Sequence, residues 1–124
     1  MMIYVLDDEL FLCRALARQI TALDCEARAA QDLGQLLAFG GKPDLLLVDF
    51  NLGGMDAIGC APAIEKAWPG TPRVLITASY LTPEQSQKIR ELGFSRVLKK
   101  PWTIDELRGL LGHYGHPGRA ERPT

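Results

Sequence analysis

Apolar positions along this chain come in two spacings, and the two alternate. Ile3, Tyr4, Val5 and Leu6 make a short continuous run, the pattern of a buried strand. Leu12, Leu16, Ile20 and Leu23 then recur at helical spacing, while Arg14 and Arg18 lie off that stripe on a solvated face. "CEARAA" is a weak strand pattern, and "DLGQLLAF" is a short helix stopped by Gly40-Gly41. "DLLLVDF" reads as a strand covered on both faces. A helical stretch through Ile64 and Ala67 ends at "WPGTP", where Trp68 reads as a surface or edge aromatic. "RVLITA" is a further buried strand. "TPEQ" opens a helix with Thr82 as cap, Pro83 in the first turn and Gln85 reaching back, and Gly93 closes it. "SRVLK" is the last strand, and "TIDEL" repeats the capping signal with Thr103 and Glu106 before Leu107, Leu110 and Leu111.

Five strand-helix units in a row imply a parallel sheet with helices on both faces and right-handed crossovers. The stretch from Gly112 to Thr124, "GHYGHPGRAERPT", is rich in Gly, Pro and charge. It is expected to be a flexible tail or the start of a linker, which leaves residues 1–112 as the domain. With 124 residues, one domain with its own core is the natural expectation. A net charge of −1 gives no electrostatic case for nucleic acid or membrane binding. No apolar run reaches membrane-spanning length, and the first lacks the basic start of a signal sequence. Cys13, Cys25 and Cys60 show neither a disulfide framework nor a zinc spacing, so they read as reduced thiols of a cytoplasmic protein.

Polar residues gather where the strands end. The first strand stops at Asp7-Asp8, the third at Asp49 with Asn51 two places on, the fourth at Thr77, Ala78 and Ser79, and the fifth at Lys99-Lys100 before Pro101. In an open parallel sheet, ligands bind beyond these carboxyl ends. Converging carboxylates repel unless a cation joins them. Oxygen donors suit Mg2+, which needs few protein ligands, and Mn2+ can substitute. One carboxylate, one metal and one lysine can together accept a phosphoryl group, with the carboxylate attacking phosphorus and the cations offsetting oxygen charge. Taken singly, Asp8 also reads as a helix cap, Asp49 as a loop acid, Thr77 as a strand residue and Asp56 as a turn or cap residue. Their joint placement on four strand ends favours the site.

The pieces "VLDDE", "LLLVDFNLGGMDAIG", "VLITAS" and "VLKKPW" stand in the order and spacing of one family. Through them the chain resembles a bacterial two-component response-regulator receiver domain of the chemotaxis-regulator kind, from residue 2 to about residue 112. The resemblance implies a flavodoxin-like (βα)5 fold with strand order 2-1-3-4-5. It makes Asp49 the phosphoacceptor, and it makes Asp8 the direct magnesium ligand with Asp7 acting mainly through water. Asn51 would lend a backbone carbonyl to the metal, Thr77 the hydroxyl that turns to the phosphoryl group, and Lys100 the ammonium that contacts it. The Lys100–Pro101 bond would be cis. A histidine kinase or phosphotransfer protein would supply the phosphoryl group. A downstream protein or an output domain, or a weak homodimer contact, would read the face of the fourth helix, fifth strand and fifth helix.

Departures from the family pattern are informative. Val97 stands where an aromatic that swings inward is usual, so an aromatic switch is not expected at that position. Gly53 replaces a common proline and should loosen the loop after Asp49. Gly59 and Pro62 fall where the third helix should be under way, so that helix is expected to start late, near Cys60, or to be distorted. Ala78, Asn51 and Ser79 flank the phosphoryl site and should tune dephosphorylation. Lys99 reads as a solvated neighbour of Lys100, and Trp102 as a packing residue beside the site. A flavin binder would need a phosphate cradle after the first strand, where "DDEL" instead repels phosphate. A dehalogenase-like phosphatase would place its two acids one residue apart and carry a cap domain. Two further alternatives are a receiver-shaped module that binds partners without phosphorylation and the N-terminal receiver of a longer regulator.

Overall fold

The structure is a computed structural model and describes residues 1–115. The chain runs β1 (Met2–Leu6), α1 (Leu10–Ala22), β2 (Glu26–Ala30), α2 (Leu33–Ala38), β3 (Leu45–Asp49), α3 (Ala57–Ala67), β4 (Arg73–Thr77), α4 (Pro83–Glu91), β5 (Phe94–Lys99) and α5 (Ile104–His113). The strands form one parallel sheet in the order β2-β1-β3-β4-β5. This is the expected flavodoxin-like order. It puts β1 and β3 at the centre, so the ends carrying Asp7 and Asp49 are neighbours.

Alternation along the strands feeds two cores. Tyr4, Leu6, Leu46, Val48 and Leu75 face α2, α3 and α4, meeting Leu36, Ile64 and Ile89. Ile3, Val5, Leu45, Leu47, Val74 and Ile76 face α1 and α5, meeting Leu16, Ile20, Leu107 and Leu111. β3 and β4 are buried at every position, as their unbroken apolar runs imply. Thr82–Gln85 and Thr103–Glu106 both form complete capping boxes, and Arg14 and Arg18 are exposed. Among the described residues no helix is long and apolar enough to cross a membrane.

Two local expectations are corrected. The third helix starts at Ala57, not near Cys60, because Asp56 caps it by accepting the Gly59 N–H at 2.9 Å. Pro62 lies inside that helix, where it removes the amide that would reach the Ile58 carbonyl. Trp68 is not a surface aromatic. It is buried, packs edge-on against Tyr4, and donates its indole N–H to the Gly41 carbonyl at 2.9 Å. At the carboxyl end, α5 continues to His113, and Tyr114 packs against the α1/α5 core. Of the segment expected as a tail or linker, residues 116–124 lie outside the described residues.

Candidate functional site

Parallel pairing brings four strand ends to one edge of the sheet. β1 ends just before Asp7, β3 ends on Asp49, and β4 ends on Thr77. One oxygen from each of Asp7, Asp8 and Asp49 lies within 4.8 Å of the others. Asp7 and Asp49 are buried, whereas Asp8 is exposed. Lys100 reaches back across the edge, its Nζ 3.2 Å from Asp49 Oδ1 and 3.4 Å from Asp7 Oδ2. Its backbone is fixed by an N–H bond to the Thr77 carbonyl at 2.8 Å and by the cis bond to Pro101.

Each carboxylate is held differently. Asp7 accepts the Glu9 N–H at 2.9 Å with one oxygen and the Lys100 ammonium with the other. Its carbonyl accepts the Cys13 thiol at 3.0 Å. Asp8 does not cap α1. The N-cap is Glu9, which makes no side-chain capping bond among the described residues, so the Asp8 carboxylate stays turned to the site. Gly53, at φ 70°, brings the β3–α3 loop beside it, since a Cβ there would stand 3.6 Å from Asp8 Oδ2. Asn51 pairs with Asp56 in an isolated bridge that shapes this loop.

Two buried acids sharing one ammonium, with the exposed Asp8 beside them, leave excess negative charge at this edge. Burial, then the charge of Asp7, pushes the Asp49 carboxyl up to about 6 against the pull of Lys100. Burial also raises Asp7, opposed by the Glu9 N–H and by Lys100. For Lys100, burial works against the charged form, but hydrogen bonds and attraction from Asp49 and Asp7 outweigh it and raise the pKa. Burial, then Asp7, pushes the Cys13 thiol up to about 11, which suits a packing residue rather than a nucleophile. The donor set consists of carboxylate oxygens with unbalanced charge, and this fits a hard divalent cation.

Thr77 is buried at the end of β4 and turned to its own loop. Its Oγ1 accepts the Ser79 N–H at 3.0 Å and donates to the Ser79 carbonyl at 3.2 Å. Ala78 and Ser79 are exposed beyond it. Trp102 packs beside Lys100 as expected, donating its N–H to Gln19 Oε1 at 2.8 Å. Lys99 differs from expectation. Its ammonium is not solvated but packed 2.9 Å from the ring centroid of Tyr80.

Residues 3–111 match the family described as the response regulator receiver domain. The chain belongs to this family. As a receiver domain, it is 32% identical over 126 residues to the sensor histidine kinase RcsC of Escherichia coli (strain K12), a match that covers all of this chain and 13% of that protein. It is 34% identical over 73 residues to the sporulation initiation phosphotransferase F of Bacillus subtilis, covering 59% of this chain and 58% of that protein. In fold it resembles the chemotaxis protein CheY4 of Vibrio cholerae, with a TM-score of 0.83 and 20% identity over 91% of this chain and 97% of that one. The chain thus spans about an eighth of the sensor kinases that it matches. By family, then, the chain is a receiver domain of two-component signalling.

Beyond the acidic edge, Val97 is half-exposed on the edge strand β5. It lines a groove of about 400 Å³ with Leu98, Glu106 and Leu110 of the β5–α5 side, and one of about 260 Å³ with Leu81, Ile89 and Phe94 of the α4 side. Sequence reasoning missed Tyr80 and the shielding of the Lys99 ammonium. The only sign in the sequence is an aromatic three residues past Thr77, in the short loop before Pro83.

Proposed function

We propose that Asp49 accepts a phosphoryl group from a phosphohistidine of a histidine kinase or phosphotransfer protein. The supporting observation is the meeting of Asp7, Asp8 and Asp49 within 4.8 Å, with Lys100 bridging Asp49 and Asp7. An Asp49 carboxylate oxygen attacks phosphorus, the phosphorus–nitrogen bond breaks, and the imidazole leaves with the electron pair. Lys100 offsets charge on the transferred oxygens. Thr77 exchanges its Ser79 partner for a phosphoryl oxygen.

Asp8, Asp49 and the Asn51 carbonyl would hold Mg2+ directly, and Asp7 would act through water. Asp7 suits that part, because both its oxygens already carry protein hydrogen bonds. Bound there, Mg2+ or Mn2+ would neutralise the carboxylates and the incoming oxygens. Asn51 and Ser79, exposed on either side, tune loss of the group to water. The domain catalyses only its own phosphorylation and dephosphorylation.

Phosphorylation shifts a two-state equilibrium of the α4-β5-α5 face. The grooves beside Val97 supply a surface that a downstream protein, an attached output domain or a second copy can read. The three free cysteines accord with a cytoplasmic setting.

The test is intact mass after incubation with acetyl phosphate, with and without magnesium, on the wild type and Asp49→Asn. The expected result is one added phosphoryl group that requires both magnesium and Asp49. No addition to the folded wild type would leave a receiver-shaped binding module instead.

A further inference from the structure

The Thr77 hydroxyl spends both its hydrogen bonds on the Ser79 backbone, and Tyr80 follows directly. In the β4–β5 ladder, Thr77 is paired with Lys99. Lys99 carries its ammonium over the Tyr80 ring, 2.9 Å from the centroid. That Nζ is shielded from solvent and has no hydrogen-bond partner among the described residues. A shielded ammonium without hydrogen bonds is costly, and the π face of Tyr80 compensates it. Tyr80 itself is 90% exposed, so core burial does not explain where its ring lies. Val97, two residues before Lys99 and on the same strand face, carries no ring that could move with Thr77.

From this arrangement we infer that Tyr80 and Lys99 are positioning residues that hold the β4–α4 loop, and through Ser79 the Thr77 hydroxyl, in the unphosphorylated arrangement. The inference rests on Asp49 as phosphoacceptor. For Thr77 to reach a phosphoryl group on Asp49, its oxygen must give up the Ser79 N–H and its proton must leave the Ser79 carbonyl. Residues 79–81 then reseat, and the Tyr80 ring leaves Lys99. A contact made in one state only weakens binding to the other state by its own equilibrium factor. Loosening the contact therefore favours the phosphorylated arrangement.

Beryllofluoride with magnesium serves as the phosphoryl stand-in, titrated into the full chain by fluorescence of Trp102 beside the site. Lys99→Met and Tyr80→Ala are expected to bind it about three- to tenfold tighter than the wild type, with the double variant no tighter than either single one. Tyr80→Phe keeps the ring and stays within about twofold of the wild type. In the wild type, the Lys99 ε-methylene protons are shifted upfield by the ring and return toward ordinary positions when beryllofluoride saturates the site. Unchanged or weaker binding by Lys99→Met and Tyr80→Ala, additive effects in the double variant, or ε-protons that do not move would each overturn the inference while leaving Asp49 in its role. A purely structural contact would lower the melting temperature without tightening binding. Failure of the wild type itself to bind beryllofluoride would remove the phosphoacceptor reading and this inference with it.

Discussion

Arg73 at the amino end of the sheet and Asp49 at its carboxyl end are both almost fully buried, at 2% and 5% exposure, yet their surroundings are opposite in kind. The Arg73 guanidinium donates to Glu65 at 2.6 Å and to the carbonyls of Thr71 and Leu92 at 3.3–3.4 Å. Its charge is matched one to one, and it ties α3 to the turn after α4. Asp49 shares one ammonium with Asp7, beside a third acid, and its own pKa rises to about 6. Balanced buried charge holds the scaffold together. Unbalanced buried charge marks the place where something else must bind.

The widest separation between the two ends should come from breaking the balanced one. Arg73→Ala leaves carbonyls without their donor and opens space under α4, so urea unfolding should show a loss of about 3 kcal/mol. Phosphorylation of the molecules that remain folded should be unchanged. A large loss of phosphorylation in folded Arg73→Ala would erase the distinction between scaffold and site.

Next in size is the response to magnesium. At a concentration about 100 times its dissociation constant, the ion should stabilise the wild type by about 2.7 kcal/mol. Asp8→Asn and Asp49→Asn should lose most of that gain, while Arg73→Ala should keep it. Calorimetric melting with and without magnesium reads all three.

The smallest effect concerns the metal-free protein. Asp49 binds its proton more tightly folded, near pH 6, than unfolded, near 3.8. Between those values the folded state holds more protons, so stability falls as pH rises from about 4 to about 6 and is level above. Asp49→Asn removes that penalty and should be more stable than wild type at pH 7, on the order of 1–2 kcal/mol once the weakened Lys100 pairing is counted. The advantage should vanish below about pH 4. Denaturant melts across pH 4–8 in chelator check it, and a less stable Asp49→Asn at pH 7 would mean that the cluster is already balanced.

The carboxyl end was legible because strand ends are local features. An apolar run that stops on an acid or a lysine shows where the strand ends and what it carries, and the five-unit alternation sets the topology. Asp7, Asp8, Asp49 and Lys100 meet as that logic requires. The amino end was not legible. Arg73 reads as one charge at the start of a strand, and its partner Glu65 lies on another element. Trp68 reads as exposed beside Pro69, yet it is buried by Tyr4 and by a carbonyl 27 residues away. Gly59 and Pro62 argue for a late start of α3, and the Asp56 cap outweighs them. Lys99 reads as solvated because nothing in a strand pattern says where the loop after a neighbouring strand lays an aromatic ring.

The most direct test locates the phosphoryl group rather than counting it. Protein treated with acetyl phosphate and magnesium is reduced with borohydride, which converts an aspartyl phosphate to homoserine, and its peptides are sequenced by mass spectrometry. The account predicts homoserine at position 49 and unmodified Asp7 and Asp8. Homoserine at position 7 or 8, or a phosphoryl group carried elsewhere while Asp49 stays intact, would contradict it.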